Sequence, residues 1–167
     1  AQRLGGGDRG ESAFRVVELP PGTGDVQWTL VQSGPLTGAV GVTTPADLSL
    51  ADARKAIHMF QQVRVPILGL VENMSYLVCP HCQERIDVFS HGGGKKTAET
   101  MNIHFLGELA LDPAVRAGGD SGHPVTLGDA GPPFVALARE GGRRAAQGSA
   151  REGPAIQREA RATTQAH

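Results

Sequence analysis

The sequence predicts an α/β chain built on a parallel sheet, and three observations carry that expectation. Short apolar runs of strand length recur along the chain and end at proline or at a carboxylate. Between two of them lies a stretch of helical period, and a strand, helix, strand succession implies a parallel pair joined by a crossover. The core supply is aliphatic, because aromatic residues make up only 4% of the 167 residues while glycine contributes 23. A chain of this length suits one domain with its own core.

Residues 1–13 are Gly-rich and charged with no apolar period, and read as a disordered or truncated start. Residues 14–19, FRVVEL, have the apolar density of a buried strand that Pro20 and Pro21 terminate, which places Glu18 at its carboxyl edge. Residues 20–25, PPGTGD, form a tight loop whose Gly22 and Gly24 permit close backbone approach to a ligand, with the Asp25 carboxylate nearby. Asp25 also suits a cap for the short helix expected over residues 26–32. Residues 38–44, GAVGVTT, read as a second strand stopped by Pro45. Ser49 followed by Asp52 fits a capping pattern, and Leu50, Ala53, Ile57, Met59 and Phe60 give a crossover helix through Gln62. Residues 66–71, PILGLV, are the third strand, ending at Glu72-Asn73-Met74.

Beyond a glycine run, residues 95–101 read as a helix and 104–111 as a fourth strand. Asp112-Pro113 opens a loop, residues 114–116 a helical turn, and residues 124–127 an extended segment. Residues 132–140 are a closing helix with proline near its first turn. From 141 to 167 the only large aliphatic residue is Ile156, which predicts a disordered tail. The expected domain therefore spans 14–140.

A net charge of -1 gives no basic field that would recommend nucleic acid or an anionic membrane as a partner. No run of about 18 apolar residues predicts a membrane span, and no signal pattern opens the chain, so a cytoplasmic, reducing setting is expected. The chemistry concentrates at Cys79-Pro80-His81-Cys82, the only two cysteines of the chain. Two thiols at this spacing converge on a soft metal more readily than they build a disulfide framework. Zinc ribbons and self-contained clusters need four ligands, so one chain holds half a site. Either histidines complete it, with His81, His91 and His104 as candidates, or a second copy does so across a two-fold axis. A thiol-disulfide oxidoreductase using the pair directly is the third reading. The flanks suggest an exposed loop or short hairpin.

Several segments in order carry a family resemblance: ELPPGTGD, TGAVGVTTPADLSLADARKAIHMF, VPILGLVENMSYLVCPHC, HGGG and FLGELALDPAVR. Over roughly residues 14–127 the chain resembles the Mrp/ApbC iron-sulfur cluster carriers, which are P-loop ATPases of the MinD/ParA-like branch. The resemblance implies a partial P-loop NTPase-type parallel sheet with crossover helices and a Cys-x-x-Cys loop. It implies that Cys79 and Cys82 ligate a [4Fe-4S] cluster bridging a homodimer, for delivery to apo iron-sulfur proteins. It also implies that Asn73 recognises adenine, that Asp112 and Pro113 lie on the base side of ATP, and that Gly22 and Gly24 belong to a switch segment near the γ-phosphate.

Two departures weaken the nucleotide half of the resemblance. The family begins the switch motif with Asp holding magnesium-bound water, whereas this chain has Glu18, and octahedral Mg²⁺ is strict about geometry. The family's phosphate-binding loop precedes the first matching strand, and no G-x-x-x-x-G-K-[ST] occurs in this sequence. Gly92-Gly93-Gly94-Lys95-Lys96-Thr97 is a decoy, with Lys96 where Ser or Thr is required and Phe89 where the first Gly is required. No catalytic residue is assigned, and weak or lost ATP and Mg binding is expected. Arg54 and Lys55 read as the outer face of the crossover helix, and His58 and His123 as surface or packing residues.

Overall fold

The computed structural model describes residues 15–20, 24–32, 36–128 and 131–151. Helix α1 (Asp25–Gln32) precedes strand β1 (Ala39–Thr43), and helix α2 (Asp47–Gln62) crosses to strand β2 (Ile67–Glu72). A two-stranded hairpin, β3 (Leu77–Val78) and β4 (Arg85–Ile86), leads to helix α3 (Gly93–Thr100) and strand β5 (Phe105–Glu108). Helices α4 (Pro113–Ser121) and α5 (Pro132–Arg151) follow, with a 3-10 turn over Val125–Leu127 between them.

β1, β2 and β5 form a parallel sheet with β2 in the centre. Its register pairs Thr43 with Glu72 and Glu72 with Glu108, so the three strands end level and present one carboxyl edge. The α/β class and the crossover architecture read from the sequence are therefore correct. α2 places Ile57 against Leu70 and Ala98, while Met59 and Phe60 pack with Val65 in a second cluster that Leu19, Val31 and Ala39 border. α3 packs against β2 and β5. Gly107, at φ 145°, leaves the room Leu137 of α5 needs, because a Cβ there would stand 2.8 Å from a Leu137 methyl. β1 is an edge strand, and its Val40 and Val42 are exposed.

Several elements differ from expectation for identifiable reasons. Residues 15–20 form no strand: Val16 is 91% exposed, and an apolar run becomes a strand only where a ladder partner meets it. Phe14 lies outside the described residues. α2 begins at Asp47, so Ser49 sits within its first turn, and the N-cap Ala46 makes no side-chain bond. α3 starts at Gly93, two residues before Lys95, because Gly92 at φ 74° supplies the left-handed residue that turns the chain into the helix. The expected turn at residues 114–116 is the start of a nine-residue helix with Asp112 as its cap and Pro113 in its first turn. Val125–Leu127 form a 3-10 turn where an extended segment was expected over residues 124–127.

The largest correction concerns the tail. α5 runs to Arg151, eleven residues beyond Glu140. Ala145 is buried, and Arg144 Nε donates to the Leu68 carbonyl at 2.7 Å, so small residues and one long polar side chain dock a segment that lacks large aliphatics. Residues 1–13 and 152–167, where disorder was expected, lie outside the described residues.

Candidate functional site

The carboxyl edge of the sheet organises the site. Beyond β2 the chain stays bonded to its neighbours: Asn73 N–H donates to Thr43 O at 2.7 Å, Ser75 N–H to Leu109 O at 2.9 Å, and Leu111 N–H to Tyr76 O at 2.7 Å. These bonds bring Asn73 and the Asp112-Pro113 pair to the same edge. Both side chains also serve the backbone. Asn73 Oδ1 accepts from Met74 N–H at 2.9 Å, and Asp112 Oδ1 accepts from Ala114 N–H at 2.8 Å, capping α4. One carboxylate oxygen of Asp112 and the amide nitrogen of Asn73 take part in neither contact.

The cysteine loop is a short hairpin, as expected. Leu77 pairs with Ile86 and Val78 with Arg85, and the turn closes with Cys79 N–H to Glu84 O and Gln83 N–H to Cys79 O, both 2.9 Å. Cys79 is half-buried and Cys82 exposed, both as free thiols. The backbone N–H groups of Cys82 and His81, with the Cys82 thiol, point at Cys79 and hold its thiol below the ordinary value of 9.0. Hydrogen bonds to the charged form favour it, so the turn is built to carry a thiolate.

Two features that the sequence reading missed fasten this loop. Glu72, fully buried, accepts from Ser75 Oγ at 2.5 Å and from the Gly94 N–H, so one carboxylate joins the end of β2, the following loop and the start of α3. A carboxylate at a helix N-terminus also opposes the positive end of the dipole. The glycine run is thus a packing device: a Cβ at Gly94 would stand 2.9 Å from Glu72 Oε2, and one at Gly93 2.6 Å from Leu50 Cδ1. The second feature is Arg85, whose guanidinium reaches Asp87, Glu108 and His91 and lies over the Tyr76 ring.

The histidine candidates do not converge on the thiols. His104 stands at the amino end of β5, 3.7 Å from Glu140. His91 Nδ1 is 2.6 Å from Arg85 Nη2, and His81 is exposed at the turn. Among the described residues, the one group with metal-ligand spacing is Glu72, His91 and Glu108, which contains neither cysteine. A preformed Cys2His zinc site is therefore absent from the described residues of one chain. His58 and His123 are exposed, as expected. Arg54 and Lys55 are exposed, as expected of an outer face, and Arg54 also donates to Thr97 Oγ1 at 3.3 Å, which ties α2 to α3.

The switch-segment candidates stand apart. Glu18, Gly24 and Asp25 are exposed, and Gly22 lies outside the described residues. Gln27 Nε2 donates to Pro20 O at 2.8 Å, tying α1 to this segment. Its anchors Leu19 and Val31 pack beside Val65 and Ala39, at the amino ends of β2 and β1, so the structure does not bring Glu18, Gly24 or Asp25 to Asn73.

Over residues 7–139 the chain matches the family model described as ParA, NUBPL iron-transfer P-loop NTPase. The chain belongs to this family. It is 51% identical over 120 residues to the iron-sulfur cluster transfer protein NUBPL of Dictyostelium discoideum, covering 72% of this chain and 37% of that one. It is 45% identical over 126 residues to the iron-sulfur cluster carrier protein of Pyrococcus furiosus, covering 75% and 43%. Among solved structures, a nucleotide-binding protein from Archaeoglobus fulgidus in complex with ADP superposes with a TM-score of 0.56 at 40% identity, over 63% of this chain and 43% of that one. The chain thus spans less than half the length of the relatives it matches. The resemblance to carriers of the Mrp/ApbC type, read from the motifs, is the correct one, and the matching family model is that of a P-loop NTPase.

Proposed function

We propose that this chain is the cluster-bearing part of an iron-sulfur cluster carrier. Two copies hold one [4Fe-4S] cluster as cargo between their Cys79 and Cys82 pairs and pass it to apo iron-sulfur proteins. The observation that carries this reading is the hairpin itself. Two thiols separated by two residues stand at an open turn, Cys79 lowered toward the thiolate, and the one group with metal-ligand spacing among the described residues includes neither of them. A half-site of this kind is completed by symmetry, and ligands at an exposed turn let a recipient's thiols reach the cluster for exchange. Single-chain zinc binding has no geometric support, and dithiol redox chemistry leaves the family membership unused.

The nucleotide side follows the same reading. Asn73 offers its side-chain amide to an adenine edge, with Asp112 and Pro113 alongside, and all three share the carboxyl edge where ligands bind in open α/β sheets. Glu18, Gly22, Gly24 and Asp25 are the switch segment by their place in the family's motif order. The sequence contains no phosphate-binding loop lysine, so the charge-assisted contacts that dominate phosphate binding are missing from these residues. Free cysteines suit a reducing compartment, and we place the protein in the cytoplasm. Among the described residues no helix is long and apolar enough to cross a membrane.

Transfer tests the reading directly. The chain, loaded anaerobically with iron and sulfide, is mixed with an apo iron-sulfur enzyme in the presence of an iron chelator. Activation of the recipient that resists the chelator supports direct hand-over, and activation abolished by the chelator overturns it.

A further inference from the structure

Arg85 stands three residues past Cys82 where the turn ends, and it pairs with Val78. Its guanidinium engages four groups. Nε donates to Asp87 Oδ1 at 2.9 Å, Nη1 to Glu108 Oε1 at 3.3 Å and Nη2 to His91 Nδ1 at 2.6 Å, while Cζ lies 4.1 Å from the Tyr76 ring centroid. Arginine has no acceptor, so His91 Nδ1 accepts, and its 3.7 Å approach to Glu108 is not an ion pair in this arrangement. The guanidinium thereby supplies positive charge beside two members of the Glu72, His91, Glu108 group.

The contact matters because the hairpin's own pairing is small. Its ladder has two residue pairs, and residues 80–91 are all exposed, so no core fixes its tilt. An isolated two-stranded hairpin is marginal in water. Glu108 ends β5, an edge strand of the parallel sheet, so the Arg85 side chain ties the hairpin to that strand, while Tyr76, one residue before β3, packs under the guanidinium at the start of the hairpin. The two-fold geometry of a shared cluster doubles any error in tilt, since each copy presents the same misdirected thiols.

We propose that Arg85 is a positioning residue, which fixes the hairpin on the sheet edge and so aims Cys79 and Cys82 at a second copy. The inference rests on the cluster-bridging reading but makes a claim of its own about the iron-free chain. The test compares the full 167-residue chain with Arg85→Gln, which loses the charge, and Arg85→Lys, which keeps a cation for Glu108, Asp87 and the ring. In the iron-free chains, amide hydrogen exchange is read at Cys79 and Gln83, the two donors that close the turn, with Val71 of β2 as the folding control. In the loaded chains, the rate at which a chelator strips iron is read.

Arg85→Gln is expected to raise exchange at both amides and the stripping rate about tenfold, the order expected when several exposed ion pairs and a cation-π contact are lost together. Val71 stays unchanged, and Arg85→Lys restores most of both effects. Unchanged exchange in Arg85→Gln, or a stripping rate unchanged despite faster exchange, overturns the proposal, as does equal acceleration at Val71. If the unsubstituted chain does not load iron, the cluster reading fails by itself, and the exchange comparison still decides whether Arg85 holds the hairpin.

Discussion

Replacing Glu72 with alanine tests whether one buried carboxylate holds the site together. The side chain is fully buried, with Ser75 Oγ at 2.5 Å from one oxygen and the Gly94 N–H on the other. Each hydrogen bond to such a carboxylate contributes about 1.5–3 kcal/mol, and a buried donor left alone costs a similar amount. Glu72→Ala strands the Gly94 N–H, leaves Ser75 Oγ only its 3.4 Å contact to the Glu72 carbonyl, and is expected to destabilise the fold by about 3 kcal/mol, a large share of the roughly 5–15 kcal/mol a domain possesses. Glu72→Gln keeps the shape, offers its carbonyl to Gly94 N–H and its amide to Ser75 Oγ, and is expected to cost only about 1–2 kcal/mol. Urea unfolding followed by circular dichroism reads both values from the midpoints at constant m. An alanine variant within about 0.5 kcal/mol of the unsubstituted chain refutes the reasoning. So does a glutamine variant as damaging as alanine, since it would mean that satisfying the two donors is not what stabilises the edge.

Three further outcomes are expected. Cys79 is lowered by the turn's N–H groups, so iodoacetamide capture at Cys79 falls only as pH drops through that lowered value; capture no faster than at a free cysteine near neutrality contradicts this. Glu140 is held below its ordinary 4.5 first by its hydrogen bond to Arg143 and then by the charges of Arg143, His104 and Arg144. Its contribution to the stability of α5 is therefore present above pH 4.5 and lost as pH falls through the lower folded value, a loss that Glu140→Gln abolishes when protease cleavage of α5 is followed against pH. Calorimetry and phosphate release are expected to find weak or undetectable ATP affinity and no turnover above background, whereas magnesium-dependent hydrolysis that persists through repurification would show that turnover does not depend on a phosphate loop.

The legible parts of the fold were those written locally. Apolar runs bounded by Pro45 and Pro66 marked β1 and β2, and the spacing of Leu50, Ile57 and Phe60 marked α2. Residues 15–20 read as a strand for the same local reason, yet they are exposed, because ladder formation depends on a distant partner that local composition does not encode. The end of α5 was hidden because its docking uses Ala145 and the reach of Arg144 to Leu68, and neither scores as core in a search for large aliphatics. At the site, the cysteine pair announced itself through spacing. Glu72, Tyr76, Arg85, His91 and Glu108 did not, since their association spans thirty-odd residues and follows no motif. Gly93 and Gly94 looked like phosphate-loop residues because close packing and close phosphate approach both demand glycine.

The central claim is that two chains share one cluster through Cys79 and Cys82. Anaerobic reconstitution of the purified chain with iron and sulfide, followed by size-exclusion chromatography with iron, sulfide and zinc measured in each peak, tests it most directly. One [4Fe-4S] cluster per two chains on a dimer is expected, lost together with the dimer in Cys79→Ser and in Cys82→Ser. Normal iron per chain in either serine variant, or stoichiometric zinc on a monomer, would contradict it.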